Sequence, residues 1–318
     1  METTIILIGA LIMGQRDLLL LSVVFLIGFF GHICGYVLND YADIEVDKIS
    51  HELREKPLVS GTIPKNNALI IGFVTALISY ILVIIFFRNL LTILLLGLTT
   101  VLTIVYNFLG KKIPGSDAIV AATVVVFFFM SASSLGKPLT NLIYIVGLIF
   151  LFDIIFINIV EGGLKDVDHD YLSGAKTLAT VTGVKVTDGK LITTGKFLAI
   201  AYSIRAIYII MVIVLGFQSE INIWLSNSYP NIIVEVIAII FMIVVLFGSY
   251  KFLSLKVFDR SKMKKLYGGI NAASGILYIV MLYPILGLGI TLFLLLFPVT
   301  WYTVFNTILY GKPMQPRV

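Results

Sequence analysis

Residues 67–87 read NALIIGFVTALISYILVIIFF, a run with no charged side chain. A helix needs about twenty such residues to cross the hydrocarbon core of a bilayer. Ile, Val and Phe dominate the run, and in water these favour strands. In lipid, every backbone N–H and C=O must find a partner within the protein, which leaves helices or closed barrels. Barrel strands span with only ~9–11 residues and alternate apolar with polar ones. This run is far longer and does not alternate, so it is expected to be a spanning helix.

Similar runs lie on either side, at 18–38, 90–108, 117–136, 141–160, 192–216, 231–254, 267–286 and 288–310. Together with 67–87 they predict an all-α, polytopic transmembrane bundle of about nine spanning helices. The stretch 3–13 is apolar but too short to cross alone, and reads as half of a spanning helix. It has no basic n-region or small-residue cleavage site, so it is not expected to be a signal peptide. Composition agrees, with 59% hydrophobic and 13% charged residues, against about 25% charged in a soluble domain. No linker or low-complexity tract divides residues 1–318, which are expected to form one domain with a truncated first helix. The single cysteine, Cys34, excludes an intrachain disulfide. The net charge of +5 suits basic cytoplasmic loops rather than nucleic acid. With the 39–66 loop placed inside and the helices alternating, nineteen Lys and Arg fall inside and three outside. That asymmetry predicts an integral membrane protein with the 39–66 loop facing the cytoplasm.

Two inside segments concentrate acids. The first is Asn39-Asp40-Tyr41-Ala42-Asp43-Ile44-Glu45-Val46-Asp47, directly after a spanning run. On a helix each residue advances ~100°, so Asn39, Asp43 and Asp47 form one stripe, with Asp40 almost in line with Asp47. The second is Asp166-Val167-Asp168-His169-Asp170, in which Asp166 and Asp170 share a face. Like charges at this spacing repel. A hard divalent cation offsets the repulsion, and Mg²⁺ is often shared between carboxylates and a substrate's phosphates. Two such faces on one side of the membrane suit a diphosphate held between them through Mg²⁺. The plainer alternative is two solvated helix ends.

Asn39 to Asp47 resembles the NDxxDxxxD motif of UbiA-type intramembrane prenyltransferases, and Asp166 to Asp170 resembles their second DxxxD motif. Lys56-Pro57-Leu58-Val59-Ser60-Gly61 is similar to the family's RPLxSG stretch, and Gly174-Ala175-Lys176-Thr177-Leu178-Ala179 to its GxxTLA stretch. Tyr106 followed by Lys111-Lys112 resembles the exit of the family's fourth helix. The resemblance covers roughly residues 3–310. It implies helices around a central cavity and Mg²⁺-dependent transfer of a polyprenyl group from a polyprenyl diphosphate. The acceptor would be a lipid-soluble aromatic (quinone-type) molecule or a glycerol-phosphate ether lipid. No nucleic acid and no protein partner is expected.

Prenyl transfer builds negative charge on the departing diphosphate, which cations stabilise. The resemblance therefore implies Asn39, Asp40, Asp43, Asp47, Asp166 and Asp170 as Mg²⁺ ligands, with Asp43, Asp47, Asp166 and Asp170 essential. Asp168 is either a ligand or a solvated neighbour. Arg54, Lys111 and Lys165 are candidates for diphosphate contact, with a role as basic membrane anchors the alternative. Asn39 is a further substrate contact, and Tyr106 and Phe108 present ring faces to a cation. The 47–57 loop, with His51, Arg54 and Lys56, is longer than the family's commonest form and is similar to its polyprenyl-phosphate phosphoribosyltransferase branch. The intact Asp166/Asp170 pair departs from that branch. An ion-coupled transporter is the other alternative, but transporters place coupling acids near the midplane. Within the spans, Arg205 is expected to pair with Asp153 or Glu235. His32 is expected to be a satisfied interior residue, and Gly268-Gly269 a place of close helix packing.

Overall fold

A computed structural model describes residues 2–48, 54–110, 113, 115–226 and 228–311. Helices α1 (Glu2–Ile12) to α5 follow in order: α2 (Leu18–Asp47), α3 (Lys65–Phe86), α4 (Leu90–Leu109) and α5 (Asp117–Ser133). Helix α6 (Asn141–Ile155) runs on through a π-helical stretch, Phe156–Gly162, into the single turn α7 (Gly163–Lys165). Two short helices, α8 (Val167–Ser173) and α9 (Leu178–Val181), lead to a hairpin of β1 (Lys185–Thr187) and β2 (Lys190–Ile192). Helices α10 (Gly195–Gly216), α11 (Tyr229–Leu253), α12 (Arg260–Met281) and α13 (Tyr283–Tyr310) complete the chain.

Every expected apolar run coincides with a helix, but the count of nine spans does not carry over unchanged. Among the described residues, seven helices are both long and apolar enough to cross a membrane. Helix α5 has 17 residues, and α12 opens on the basic stretch Arg260-Ser261-Lys262-Met263-Lys264-Lys265. Two boundaries also move. The run at 192 begins as β2, because Asp188-Gly189 closes a tight antiparallel hairpin in which both residues adopt positive φ, as a type I′ turn requires. The last two helices meet at Leu282, while Gly287 (φ 71°, ψ 169°) kinks α13 from within.

The interior follows the rules of a lipid-embedded bundle. Helix α3 turns Ala68, Gly72, Thr75, Ser79 and Val83 inward, a stripe of mostly small residues that lets backbones approach. A Cβ at Gly72 would stand 3.1 Å from Leu38, so α3 packs tightly against the turn of α2 just ahead of Asn39. Thr75 and Ser79 return their hydroxyls to backbone carbonyls of their own helix, which satisfies them without water. The outward faces of α3, α4, α11 and α13 carry exposed Leu, Ile, Val and Phe. Gly268 and Gly269 do not provide close packing: nothing lies within 4 Å of where a Cβ would stand at either position. That contact comes from Gly248 instead, where a Cβ would stand only 2.8 Å from Ile270. Helix α1, though short, is thoroughly buried from Ile5 to Met13 and packs against α2, α5 and α13.

Candidate active site

Helix α2 does not stop where its apolar run ends. It continues unbroken to Asp47, so Asn39, Asp43 and Asp47 keep the single stripe expected of them. Asn39 donates from Nδ2 to Oδ1 of Asn107 (3.3 Å) near the end of α4, and Asn107 donates in turn to the Gly35 carbonyl (3.4 Å). The Lys56 ammonium reaches back from the following loop. It lies 2.9 Å from Asp40 Oδ1 and 2.9 Å from Asp47 Oδ2. Burial works against the charge on Lys56, but the Asp47 and Asp40 carboxylates together outweigh it and raise its pKa above the ordinary lysine value. Glu45 points elsewhere, to Lys48 (2.9 Å) and Lys65 (3.1 Å) at the surface.

The second motif sits where α7 breaks into α8. Asp166 occupies the break (φ −107°, ψ 6°) and pairs with Lys165 at 3.0 Å. The Asp170 backbone N–H donates to the Asp166 carbonyl (2.9 Å), so the two stand one helical turn apart, as expected. Asp168 is taken by Arg260, the first residue of α12, at 2.7 Å, and the same arginine donates from Nε to the Lys165 carbonyl (3.3 Å). The GxxTLA stretch has a local purpose here. Gly174 ends α8 in the left-handed conformation (φ 69°), Thr177 caps α9, and Ala179 is buried against Gly163.

Tyr106 hydrogen-bonds Asp117, the first residue of α5, and lies near enough to Asp43 to feel its charge. Phe108 stands edge-on to Tyr41, with ring centroids 6.4 Å apart. Arg54 is exposed and donates to the Lys48 carbonyl (3.4 Å). His51, Lys111 and Lys112 lie outside the described residues. In the bundle interior the partner of Arg205 is Asp153, at 3.1 Å, while Glu235 is half-buried on α11. The His32 ring lies against that of Tyr36, tilted by 46° with centroids 4.3 Å apart. Asn107, Asp117, Glu161 and Arg260 are polar residues that the sequence reading did not single out.

Among the described residues no three His, Cys, Asp or Glu side chains converge as a ready-made metal cage. The donors nevertheless suit a hard cation: all are oxygens, and Asp40 and Asp47 already close on one positive group, the Lys56 ammonium.

The family model for the UbiA prenyltransferase family matches residues 3–253. The chain belongs to that family. Among curated relatives, it is 30% identical over 152 residues to digeranylgeranylglyceryl phosphate synthase of Saccharolobus solfataricus, covering 47% of this chain and 52% of that protein. It is 38% identical over 96 residues to 4-hydroxybenzoate octaprenyltransferase of Shewanella piezotolerans, covering 30% of this chain and 32% of that one. The matched stretch thus spans about half or less of each relative's length. A UbiA homologue from Archaeoglobus fulgidus, solved with DMAPP and Mg²⁺, shares the fold at a TM-score of 0.60 and 16% identity. That likeness covers 88% of this chain and 95% of the homologue. Family membership and the seven apolar helices make this an integral membrane protein.

Proposed function

We propose that the chain is a prenyltransferase that moves a polyprenyl group from a polyprenyl diphosphate to a lipid-soluble acceptor, with Mg²⁺ bound at the two acidic motifs. The observation that carries this reading is the convergence of Asp40 and Asp47 on one cation position at the end of α2. Three further findings support it: family membership, the DMAPP and Mg²⁺ bound by the Archaeoglobus homologue, and the prenyl acceptors in the relatives' names. The acceptor is an aromatic acid or a glycerol-phosphate ether lipid. Alternation of the helices brings the C-terminal ends of α2, α4 and α6 to one end of the bundle, and the Lys and Arg asymmetry assigns that end to the cytoplasm.

Asn39, Asp40, Asp43, Asp47, Asp166 and Asp170 are the residues that would hold the ion. Mg²⁺ supplies neutralisation of the negative charge that grows on the leaving diphosphate. The chain's own residues do the rest. Lys56 must release Asp40 and Asp47, and Lys165 must release Asp166, for those carboxylates to accept a new cation. The freed ammonium groups, with Arg54, would add positive charge beside a diphosphate, and Lys111 remains a candidate for the same contact on its place in the sequence. Asn107 fixes the Asn39 amide, and Asp117 fixes the Tyr106 ring beside Asp43. The test is transfer of a radiolabelled prenyl group by purified protein against a panel of aromatic and glycerol-phosphate acceptors. Activity is expected with Mg²⁺, to vanish with EDTA, and to be poorly supported by the larger Ca²⁺. Transfer that persists in EDTA overturns the reading. A reporter fused after residue 62 or 188 should report from the cytoplasm, and one near 222 from outside.

A further inference from the structure

Around the buried Asp153–Arg205 ion pair, five buried polar atoms lack a hydrogen-bond partner. Glu161 is 1% exposed, and neither carboxylate oxygen has a hydrogen-bond partner. Arg205, also 1% exposed, commits Nη1 to Asp153 (3.1 Å) and to Ser274 (3.4 Å), while Nε and Nη2 have no partner. The Asn271 side chain stands close enough to interact with the Glu161 carboxyl group, although not in good hydrogen-bond geometry, and its Oδ1 is unpartnered. These five atoms come from three separate elements: the π-helical stretch, α10 and α12. Glu161 lies near Arg205, but no hydrogen bond joins the two side chains. The Phe156 ring, 3.7 Å from the guanidinium carbon, covers one face of the arginine.

A buried polar atom without a partner is costly, so the chemistry of the leftover atoms says what completes them. Three are acceptors and two are donors. A metal cation serves the three oxygens and leaves the two donor nitrogens bare, and an anion does the reverse. Water donates and accepts, and buried water commonly makes about three hydrogen bonds to atoms of this kind. We infer that Glu161, Arg205 and Asn271 enclose bound water that pins the π-helical stretch to α10 and α12. The stretch ends just ahead of the second acidic motif, with Glu161 five residues before Asp166. Gly162 and Gly163, which follow it, bring no side chains of their own to anchor the chain. Single π turns inside helices are frequent at functional sites. This one sets where Lys165, Asp166 and Asp170 emerge, which makes Glu161 a positioning residue. That last step rests on the reading of Asp166 and Asp170 as Mg²⁺ ligands.

The tests separate the water site from the metal reading. An experimental density map of the full chain in detergent or nanodisc should show at least one water within hydrogen-bond distance of both Glu161 and Arg205. A direct Glu161–Arg205 ion pair, or a metal ion at that position, overturns the inference. Amide hydrogen exchange over residues 163–170 should quicken in Glu161→Leu and stay at the wild-type rate in Glu161→Gln, which can still bond water. Equal exchange in Glu161→Leu and wild type overturns it. Asn271→Leu should act in the same direction as Glu161→Leu and serves if that variant does not fold. Neither measurement involves prenyl transfer, so either can fail while the metal reading stands. Mg²⁺ binding in the presence of a prenyl diphosphate, read by calorimetry, should weaken about tenfold in Glu161→Leu, as loss of a supporting partner does at other metal sites, and be restored in Glu161→Gln. Glu161→Gln binding as weakly as Glu161→Leu would make the charge itself the functional group and overturn the positioning role.

Discussion

The carboxylates of the two acidic motifs, which form a cap at the ends of α2 and α7, and the Asp153 carboxylate inside the bundle are held in opposite ways. At the cap, Asp40, Asp47 and Asp166 each meet a lysine ammonium at 2.9–3.0 Å, and those lysines stay 24–36% exposed. Inside, Asp153 meets Arg205 at 3.1 Å with both side chains almost sealed. A lysine is a point charge on a flexible stem, whereas the arginine guanidinium is a rigid fork. Solvent-reaching pairs are worth only about 0–1 kcal/mol, so they can be exchanged for another cation at little cost. A sealed pair leaves a stranded charge when one partner goes. On the proposed function, the cap would exchange its cations and the interior would keep one. Variants at the two places should therefore fail in different ways.

The largest effect is expected at the cap, and on activity alone. Asp43→Ala, Asp47→Ala, Asp166→Ala and Asp170→Ala should each lower prenyl transfer on the order of 10²–10³-fold or more. Each should still insert and purify with a thermal midpoint close to that of the wild type, because removing one of several like charges relieves repulsion. Asp168→Ala is the contrast, since that carboxylate is already committed to Arg260, and a milder loss is expected. Transfer is measured in membranes with a radiolabelled donor. Wild-type transfer by both Asp43→Ala and Asp166→Ala would remove the two-motif mechanism.

The interior should respond in stability first. Arg205→Ala leaves Asp153 unpaired in an apolar core, at a cost of about 3–5 kcal/mol. The thermal midpoint in detergent should fall, and Asp153→Asn added to Arg205→Ala should recover part of the fall by removing the stranded charge. A variant with full stability and no transfer would place Arg205 in the substrate site and erase the distinction between interior and cap.

What the sequence made legible divides along the same line. Periodicity reads well wherever one helix carries the pattern, so the Asn39-Asp43-Asp47 stripe and the Asp166/Asp170 turn stand as the spacing implied. A costly mid-span charge announces that it has a partner, and Arg205 does, although spacing alone left Asp153 and Glu235 equal. Contacts between distant segments left no local mark. Arg260 looks like one more basic residue at a helix start, yet it closes on Asp168 from 92 residues away and on the Lys165 carbonyl from 95. Asp117 reads as an ordinary acid in a first helical turn until Tyr106 is found beside it. Glu161 lay one residue past the apolar run assigned to 141–160. An acid followed by Gly162-Gly163 was the available signal there, but the run boundary cut it off. The Asp188-Gly189 hairpin was also legible, as a positive-φ turn pair between alternating residues. It lies ahead of the run at 192–216, which takes in only Ile192, the last residue of β2.

The smallest expected effect sharpens the comparison, because it touches the one cation that two carboxylates of the first motif share. Lys56→Gln removes the ammonium between Asp40 and Asp47. Lys56 is 36% exposed at its side chain, so the change in stability near neutral pH should stay within about 1 kcal/mol. Its pKa is raised in the folded protein, so the stability it adds is fully present below the ordinary lysine value of 10.5. That stability is lost as pH rises through the raised folded value. Wild type should therefore lose thermal stability in the strongly alkaline range more steeply than Lys56→Gln does, and the two should run parallel at lower pH. Without the lysine, Asp40 and Asp47 face each other across a gap that only an added cation can neutralise. Mg²⁺ should then raise the thermal midpoint of Lys56→Gln by more than it raises that of wild type. If Mg²⁺ protects both proteins equally, the ammonium and the metal do not share a position, and Asp40 and Asp47 leave the ligand set.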